Sequence, residues 1–340
     1  MFSPYKITNH AGVCKAIVEG KNVYPVSCEL DLSNYCNHNC VWCITGKFRK
    51  KEKEMIKLDK VLNIIQQLAD AGVKSITLTG GGEPLTHPDV ITVMHYIREK
   101  GMEVSLVTNG GLITKDIADS IIKTCSFVRI SLDAGEEHTY SKTHRARNNT
   151  IKDILSWIKY FRDNSSDDFV IGTAYIVHPY NYREISTAAF LVKNAGASYL
   201  QIRPVFMRGM ILTDTILTET YVQTQEAMKL ETKTFNILPM LHRFTEFSSI
   251  DKNFEECMGH ALLGVIAANG KMYLCCQLRG LDQWCIGDLY KNTFNEIWNG
   301  QLRKDVVRRI NVNRCPPCRY TKYNEFLTYL KSKREHINFL

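Results

Sequence analysis

The first two thirds of the chain alternate short apolar segments with amphipathic helical patterns, and this alternation limits the folds that the chain can adopt. Six β-branched segments, each closed by Gly, Asn, Asp or Pro, end near Leu32, Leu78, Val107, Ser131, Val177 and Pro204. Helical patterns lie between them, at about 58–71, 89–100, 114–124, 150–163 and 183–195. Six β–α units of roughly 30 residues predict an α/β protein whose parallel sheet curls into a partial (β/α)6 TIM-like barrel. In such folds the chemistry lies at the carboxyl ends of the strands.

Composition excludes several classes of protein. The 340 residues are 44% hydrophobic, which is enough for a sizeable core, and no apolar run approaches the length of a membrane span. The N-terminus carries no signal-peptide pattern, so we expect a cytoplasmic protein. In that compartment twelve cysteines are ligands, catalysts or buried thiols rather than disulfides. A net charge of +8 without a nucleic-acid-binding signature predicts no nucleic-acid partner, and we expect a monomer.

Three cysteines follow the first strand directly, in the spacing Cys36-x3-Cys40-x2-Cys43. Three thiolates in one loop can hold three irons of a [4Fe–4S] cluster and leave the fourth iron open. A structural zinc site needs a fourth ligand nearby, and His38 is the candidate, although its place between two cysteines makes simultaneous ligation awkward. Taken alone, the triplet leaves the iron–sulfur cluster and zinc as alternatives.

A glycine-rich loop, Thr79-Gly-Gly-Gly-Glu-Pro84, follows the second strand. Glycines let a backbone approach a ligand closely, and the absence of a following Gly-Lys-Ser/Thr argues against a phosphate-binding P-loop. The cysteine triplet, the aromatic Trp42 before its last cysteine and the Gly-Gly-Glu-Pro loop occur in this order at successive strand ends. Residues 27 to about 204 therefore resemble the radical S-adenosylmethionine (SAM) superfamily.

The resemblance implies that Cys36, Cys40 and Cys43 ligate a [4Fe–4S] cluster, whose open iron takes the amino and carboxylate groups of SAM. It implies reductive cleavage of SAM to a 5′-deoxyadenosyl radical, which abstracts hydrogen from a substrate carbon. The electron would come from flavodoxin or ferredoxin. Residues implied to contact SAM, with Arg145 favoured over Arg147 for the carboxylate, are Trp42, Gly81, Gly82, Glu83, Asn109, Ser131 and Arg145.

A second group of thiols follows in the C-terminal part of the chain. Asn269-Gly270 between apolar segments predicts a hairpin, which separates two of these cysteines, and a distant Cys-Pro-Pro-Cys adds two more. The pattern resembles the short "twitch" form of the SPASM auxiliary-cluster domain. The resemblance implies an auxiliary [4Fe–4S] cluster, with zinc as the alternative, ligated by Cys257, Cys275, Cys315 and Cys318.

These features divide the chain into five predicted parts. They are an N-terminal extension (1–26), the partial barrel (27–204), a connecting region with a weak helical pattern (205–256), a small α+β auxiliary domain (257–325) and a C-terminal helix or tail (326–340).

Two cysteines, Cys276 and Cys285, lie outside both ligand sets. Either is a buried thiol or a hydrogen-atom donor to a substrate radical. Arg203, at the end of the sixth strand, is a candidate substrate contact, and an ordinary ion-paired arginine is the alternative. His178, after the fifth strand, is a candidate general base.

The reaction itself is predicted only by resemblance. The twitch arrangement is similar to that of carbohydrate-acting members of the superfamily, among them an aminocyclitol dehydrogenase. This similarity implies oxidation or epimerisation at a carbinol carbon of a sugar or aminocyclitol, in carbohydrate or antibiotic biosynthesis. The alternatives are a radical SAM peptide maturase and a non-enzymatic zinc module.

Overall fold

A single ten-stranded sheet organises the chain in the computed structural model, which describes residues 4–49, 53–146, 149–206, 212–245 and 252–332. Its spatial order is β10-β9-β8-β1-β2-β3-β4-β5-β6-β7. The strands are β1 (Ser27–Asp31), β2 (Ser75–Thr79), β3 (Glu103–Thr108), β4 (Cys125–Ser131), β5 (Val170–Val177), β6 (Tyr199–Pro204), β7 (Asn236–Pro239), β8 (Leu263–Ile266), β9 (Lys271–Tyr273) and β10 (Cys285–Asp288).

Helices cover the sheet and connect its strands. Those of the N-terminal part are α1 (Ala11–Val18), α2 (Gly46–Arg49), α3 (Leu58–Asp70), α4 (Val90–Glu99), α5 (Lys115–Thr124), α6 (Glu137–His144), α7 (Ile151–Asn164) and α8 (Ile185–Asn194). Those of the C-terminal part are α9 (Asp214–Met228), α10 (Leu241–Thr245), α11 (Phe294–Asn299), α12 (Gln301–Arg308) and α13 (Thr321–Lys331). No helix of the described ranges is both long and apolar enough to cross a membrane.

The six predicted strands are confirmed as β1 to β6, and each pairs in parallel with the next. The five predicted helices between them also form, with ends within two residues of the predicted ones. The connecting region adds a seventh parallel strand, β7, which pairs with β6 through Leu200 and Ile237. A four-residue strand is too short to show a period in sequence, so its position depends on the exposed edge of β6.

The C-terminal hairpin continues the same sheet. Strand β8 pairs in parallel with β1, and the predicted turn at Asn269-Gly270, with a φ of +75° at the glycine, leads into the antiparallel β9 and β10. Strand β1 therefore has a neighbour on both sides. The carboxyl ends of the barrel strands lie beside segments of the C-terminal part for this reason.

The two ends of the described chain meet in a small separate core. Cys14 and Ile17 of α1 are buried with Met258 and with Leu327 of α13. Helix α13 begins at Thr321, so the predicted boundary at 325/326 falls within it.

Candidate active site and thiol clusters

A cavity of about 310 Å³ opens at the carboxyl ends of the barrel strands. It unites most of the residues predicted from the sequence. Of the predicted residues, those on its wall are Cys36, Cys40, Trp42, Cys43, Gly81, Gly82, Glu83, Asn109, Ser131, Arg203 and Cys276. The structure thus brings the cysteine loop, the glycine loop and the end of β6 to one place.

Each cysteine of the first cluster has a polar neighbour. Asn109 Nδ2 lies 3.7 Å from Cys36 Sγ, His144 Nδ1 lies 3.6 Å from Cys40 Sγ, and a threonine hydroxyl of the same loop lies 3.3 Å from Cys43 Sγ. Thiolates that hold an iron–sulfur cluster accept such hydrogen bonds, which tune the cluster. Three thiols on the wall of a ligand-sized cavity fit a [4Fe–4S] cluster with an open iron.

A single metal ion would use a different set of ligands. Among the described residues, His38, Cys40 and His144 alone offer three donor atoms within 4.8 Å of one another. That group leaves Cys36 and Cys43 without a role, whereas a cluster uses all three thiols of the loop.

The glycine loop fits closely against the segment before the first cysteine. A Cβ on Gly81 would collide with the side chain of Asn34, and one on Gly82 would collide with the carbonyl of Tyr35. The backbone N–H of Gly82 donates to the carbonyl of Ser33 at 2.9 Å. Side chains are therefore excluded at both glycines, and this packing fixes the loop next to the thiols.

Glu83 is buried at the end of this loop. Its carboxylate accepts hydrogen bonds from Thr108 Oγ1 at 2.6 Å, from Asn109 N at 2.8 Å and from Leu85 N at 3.1 Å. Burial raises the pKa of Glu83 to about 7, against the pull of these donors. A buried carboxylate on a cavity wall is a suitable partner for an ammonium group.

His178 does not reach the cavity wall. It is buried behind Trp42, with ring centroids 5.4 Å apart, and burial lowers its pKa. The nearby wall carries a different pair, in which His144 Nε2 lies 3.3 Å from Asp133 Oδ2. Asp133 has a φ of +55°, a strained conformation for a residue with a side chain.

Arg145 also lies apart from the other predicted residues. It is exposed, it caps α6 with a φ of +49°, and it lines a second cavity on the outer side of the cysteine loop. Arg49 and Lys53 line the same outer cavity, which shares Cys36 with the first one. Arg147 lies outside the described residues.

The four predicted auxiliary ligands come together from three segments. Burial and the neighbouring thiols of Cys315 and Cys318 raise the pKa of Cys257 to about 12, and Cys275 lies near Cys318. No three of these sulfur atoms lie within 4.8 Å of one another. Because a single zinc ion holds each sulfur at about 2.3 Å, this wider spacing suits a cluster of several irons.

The two cysteines left over from the ligand sets are in different surroundings. Cys276 is buried on the cavity wall, with its Sγ 3.5 Å from the hydroxyl of Tyr320 and 3.7 Å from Arg319 Nη1. Cys285 lies on β10, where its thiol contacts the carbonyl of Gly287 at 3.4 Å, and it is not part of the wall.

Several charged residues of the wall escaped the sequence analysis. Glu29 on β1 pairs with Arg279 at 2.8 Å and with Arg319, and Arg279 also lies 3.0 Å from Asp31. Arg129 on β4 is a further buried wall residue. The sequence did contain a signal for this network, because Glu29 and Asp31 stand at alternate positions of a buried strand and buried charges need partners of opposite charge.

Comparison with known proteins identifies the class. Residues 30–192 match the radical SAM superfamily, and residues 257–320 match the iron–sulfur cluster-binding SPASM domain. The protein is an enzyme of the radical SAM superfamily with a SPASM-type C-terminal domain.

Individual relatives cover most of the chain. It is 25% identical over 318 residues to an AdoMet-dependent heme synthase of Methanosarcina barkeri, spanning 86% of this chain and 88% of the relative. Streptococcus suis SuiB bound to S-adenosylmethionine superposes with a TM-score of 0.69 at 17% identity, over 100% of this chain and 84% of that one. The structure of anSMEcpe with bound AdoMet superposes with a TM-score of 0.65 at 16% identity, over 88% of this chain and 85% of that one. The structural likeness establishes a shared fold.

The two matched domains imply SAM and two [4Fe–4S] clusters as cofactors. The thiol loop, the buried carboxylate of Glu83 and the four-thiol site provide suitable donors for them. When bound, the first cluster and SAM together supply a carbon radical that removes a hydrogen atom from substrate.

Proposed function

We propose that this enzyme acts on a hydroxyl-bearing carbon of a sugar-like small molecule and inverts that carbon, with Cys276 as the hydrogen-atom donor. The observation that carries the proposal is the position of Cys276. Its thiol is buried on the wall of the cavity that holds Cys36, Cys40 and Cys43, whereas the thiol of Cys285 lies elsewhere. A thiol is a good hydrogen-atom donor to a carbon radical, and donation from the opposite face inverts the carbon.

The residues of the chain have distinct parts in this reaction. Cys36, Cys40 and Cys43 would hold the cluster, and Glu83 would bind the amino group of SAM. Cys276 gives its S–H hydrogen to the substrate radical, and the thiyl that remains needs one electron and one solvent proton to become a thiol again. Each turnover then consumes one SAM, two electrons and one proton, and the substrate is isomerised.

Dehydrogenation is the second candidate. Cys276 follows Cys275 in sequence, so the four-thiol site lies directly behind the cavity wall. An electron acceptor at that position could remove the second electron from a substrate radical, while its hydroxyl proton leaves, to give a ketone. The substrate would lose two hydrogen atoms overall, one of them as a proton.

We infer flavodoxin or ferredoxin as the electron donor. Arg49, Lys53 and Arg145 line the outer cavity, whose wall includes Cys36. A basic surface next to the cluster loop suits an acidic redox protein, since complementary charge speeds association. We further expect the enzyme to act as a cytoplasmic monomer, and Trp42, Gly81, Gly82, Asn109 and Ser131 to contact SAM.

Deuterium labelling tests the proposal. The anaerobically reconstituted enzyme is incubated with SAM, a reductant and a low-molecular-weight cell extract in D2O, and substrate turnover is followed by mass spectrometry. Epimerisation gives an isomer of unchanged formula with one non-exchangeable deuterium, whereas dehydrogenation gives a product two hydrogens lighter. Turnover of added precursor peptides alone would instead make the enzyme a peptide maturase.

Two matched variants identify the donor. Cys276→Ser is expected to abolish deuterium incorporation while SAM cleavage continues, and Cys285→Ser is expected to incorporate deuterium like the parent enzyme. Full incorporation by Cys276→Ser would refute the role of this thiol.

A further inference from the structure

Strand β5 carries two small residues where it lies between β4 and β6. Its residues Gly172 and Ala174 lie between β4 and β6, where Gly172 pairs with Arg129 and with Tyr199. A Cβ on Gly172 would collide with the phenol of Tyr199, whose ring therefore crosses over this glycine toward Arg129. The Tyr199 ring thus fills the position over Gly172 and reaches the side chain of Arg129, which lies on the cavity wall.

Two guanidinium groups, those of Arg129 on β4 and Arg203 on β6, lie on the cavity wall beside β5. Arg129 is only 8% exposed, its Nη1 lies 3.5 Å from Gln201 Oε1, and its Nε has no hydrogen-bond partner in the described part of the chain. Arg203 forms no ion pair there, and burial together with the charges of Arg129 and Arg243 lowers its pKa to about 9. Like charges that are held together and only partly compensated raise the free energy of the folded state.

The acidic residues of the wall compensate these charges only in part. Glu29 attracts Arg129 and Asp133 attracts Arg203, but both acids lie within ion-pair distance of other basic groups. Glu29 pairs with Arg279 and Arg319, and Asp133 pairs with His144. The cavity is therefore electropositive on the β4–β6 side. Buried arginines with free donors typically bind a carboxylate or a phosphate, to which the planar guanidinium gives two parallel hydrogen bonds.

We propose that the substrate carries a carboxylate or phosphate group, which binds between Arg129 and Arg203. This inference deepens the proposed function by naming the charge class of its small-molecule substrate. An acidic sugar or a sugar phosphate fits such a cavity. A protonated aminocyclitol does not, because its ammonium would face two arginines whose positive charges are only partly compensated.

Binding measurements test the substrate class without requiring turnover. The reconstituted enzyme, loaded with SAM, is titrated calorimetrically with four probes of similar size, namely D-glucuronate, D-glucose 6-phosphate, D-glucose and D-glucosamine. We expect at least one anionic probe to bind about tenfold or more tightly than the neutral and cationic probes. Tighter binding of D-glucuronate would indicate a carboxylate site, and tighter binding of D-glucose 6-phosphate would indicate a phosphate site. Equal or absent binding of all four probes would overturn the proposal.

Variants assign the site to the two arginines. Arg203→Gln and Arg129→Gln, made separately, are each expected to weaken the preferred anion about tenfold or more, and Arg203→Lys is expected to restore part of the loss. Arg308→Gln, at an exposed arginine paired with Asp305, is the matched control and should bind like the parent. A purely structural arginine would lower the melting temperature when replaced, whereas relief of charge repulsion should leave that temperature unchanged or raise it.

The carboxylate of SAM is the other anion that the arginines could bind. Retention of SAM by the same variants is therefore measured by equilibrium dialysis, and it is expected to stay within about twofold of the parent. Loss of SAM retention with unchanged anion binding would assign the arginines to the cofactor and refute the proposal. Anion binding accompanied by a product two hydrogens lighter would preserve it and refute epimerisation instead.

Discussion

The two thiol clusters are built in opposite ways. The cysteines of the first cluster occupy residues 36–43 of one loop, whereas those of the second come from segments around Cys257, Cys275 and Cys315. The first can be recognised from local spacing alone. The second exists only when the C-terminal hairpin, the Cys-Pro-Pro-Cys turn and α13 have assembled.

A buried asparagine supports each cluster, but the two asparagines act differently. Asn109 donates to Asn37 Oδ1 at 2.8 Å and lies near the Cys36 thiol, within a site that Glu83 and the glycine loop also fix. Asn324 accepts from the backbone N–H groups of Met258 and Gly259 at 2.8 and 2.7 Å, and its Nδ2 lies 3.9 Å from the Cys318 thiol. The second cluster thus depends on one side chain that joins distant segments.

The largest loss of activity is expected when a cysteine of the first thiol cluster is replaced. Cys40→Ala removes one of the three proposed ligands of the first iron–sulfur cluster, so SAM cleavage should fall at least about a thousandfold, and bound iron should fall from about eight to about four per chain. Iron analysis and the yield of 5′-deoxyadenosine measure both. Cys125→Ala, at a buried thiol in the core, is the control and should keep both values. Retention of about eight irons by Cys40→Ala would contradict the ligand assignment.

Replacement of a cysteine in the second thiol cluster should affect product formation more than SAM cleavage, which distinguishes the roles of the two clusters. Cys318→Ala is expected to remove about four irons as well, yet SAM cleavage should persist within about tenfold of the parent, because the first cluster remains. Product formation should fall much further, about a hundredfold. The same assays measure both quantities, and an unchanged iron content would show that Cys318 is not a ligand.

Replacement of Asn324, which joins distant segments at the second thiol cluster, should lower the stability of the fold. Asn324→Leu leaves the buried N–H groups of Met258 and Gly259 without an acceptor, at a cost of about 2–4 kcal/mol in the free energy of unfolding. Denaturant unfolding of the apoprotein measures this. Leu327→Met, a volume-conserving change in the same helix, should cost less than about 1.5 kcal/mol. Similar costs for both variants would contradict a specific role for the amide.

The smallest effect concerns the protonation of Glu83. Its pKa of about 7 means that the carboxylate becomes neutral as the pH falls below that value, and a neutral group cannot pair with the amino group of SAM. The dissociation constant of SAM should therefore rise by up to about tenfold between pH 8 and pH 6. Glu83→Gln should bind SAM weakly at both values, with no such slope. A parallel slope in this variant would assign the titration to another group.

Structural features that depend on residues close together in sequence could be predicted from the sequence. Strands β1 to β6 follow from apolar segments with turn residues, and the thiol loop and glycine loop follow from spacing. The pairing of β8 with β1, the engagement of Glu29 by Arg279, and the packing of Tyr199 over Gly172 could not be predicted, because each depends on sheet register and closure between segments far apart in sequence. Arg203 was predicted as a strand-end residue, but Arg129 was missed because its strand reads as an ordinary apolar segment.

The pairing of β8 with β1 also has a consequence for biosynthesis. Strand β1 is made early, yet its second neighbour and the arginines that neutralise Glu29 are made only after residue 260. Until then the nascent barrel has an open hydrogen-bonding edge and unpaired acidic side chains next to the thiol loop. The loop that receives the first cluster would then reach its final form late in translation, so cluster insertion would follow synthesis of the C-terminal hairpin.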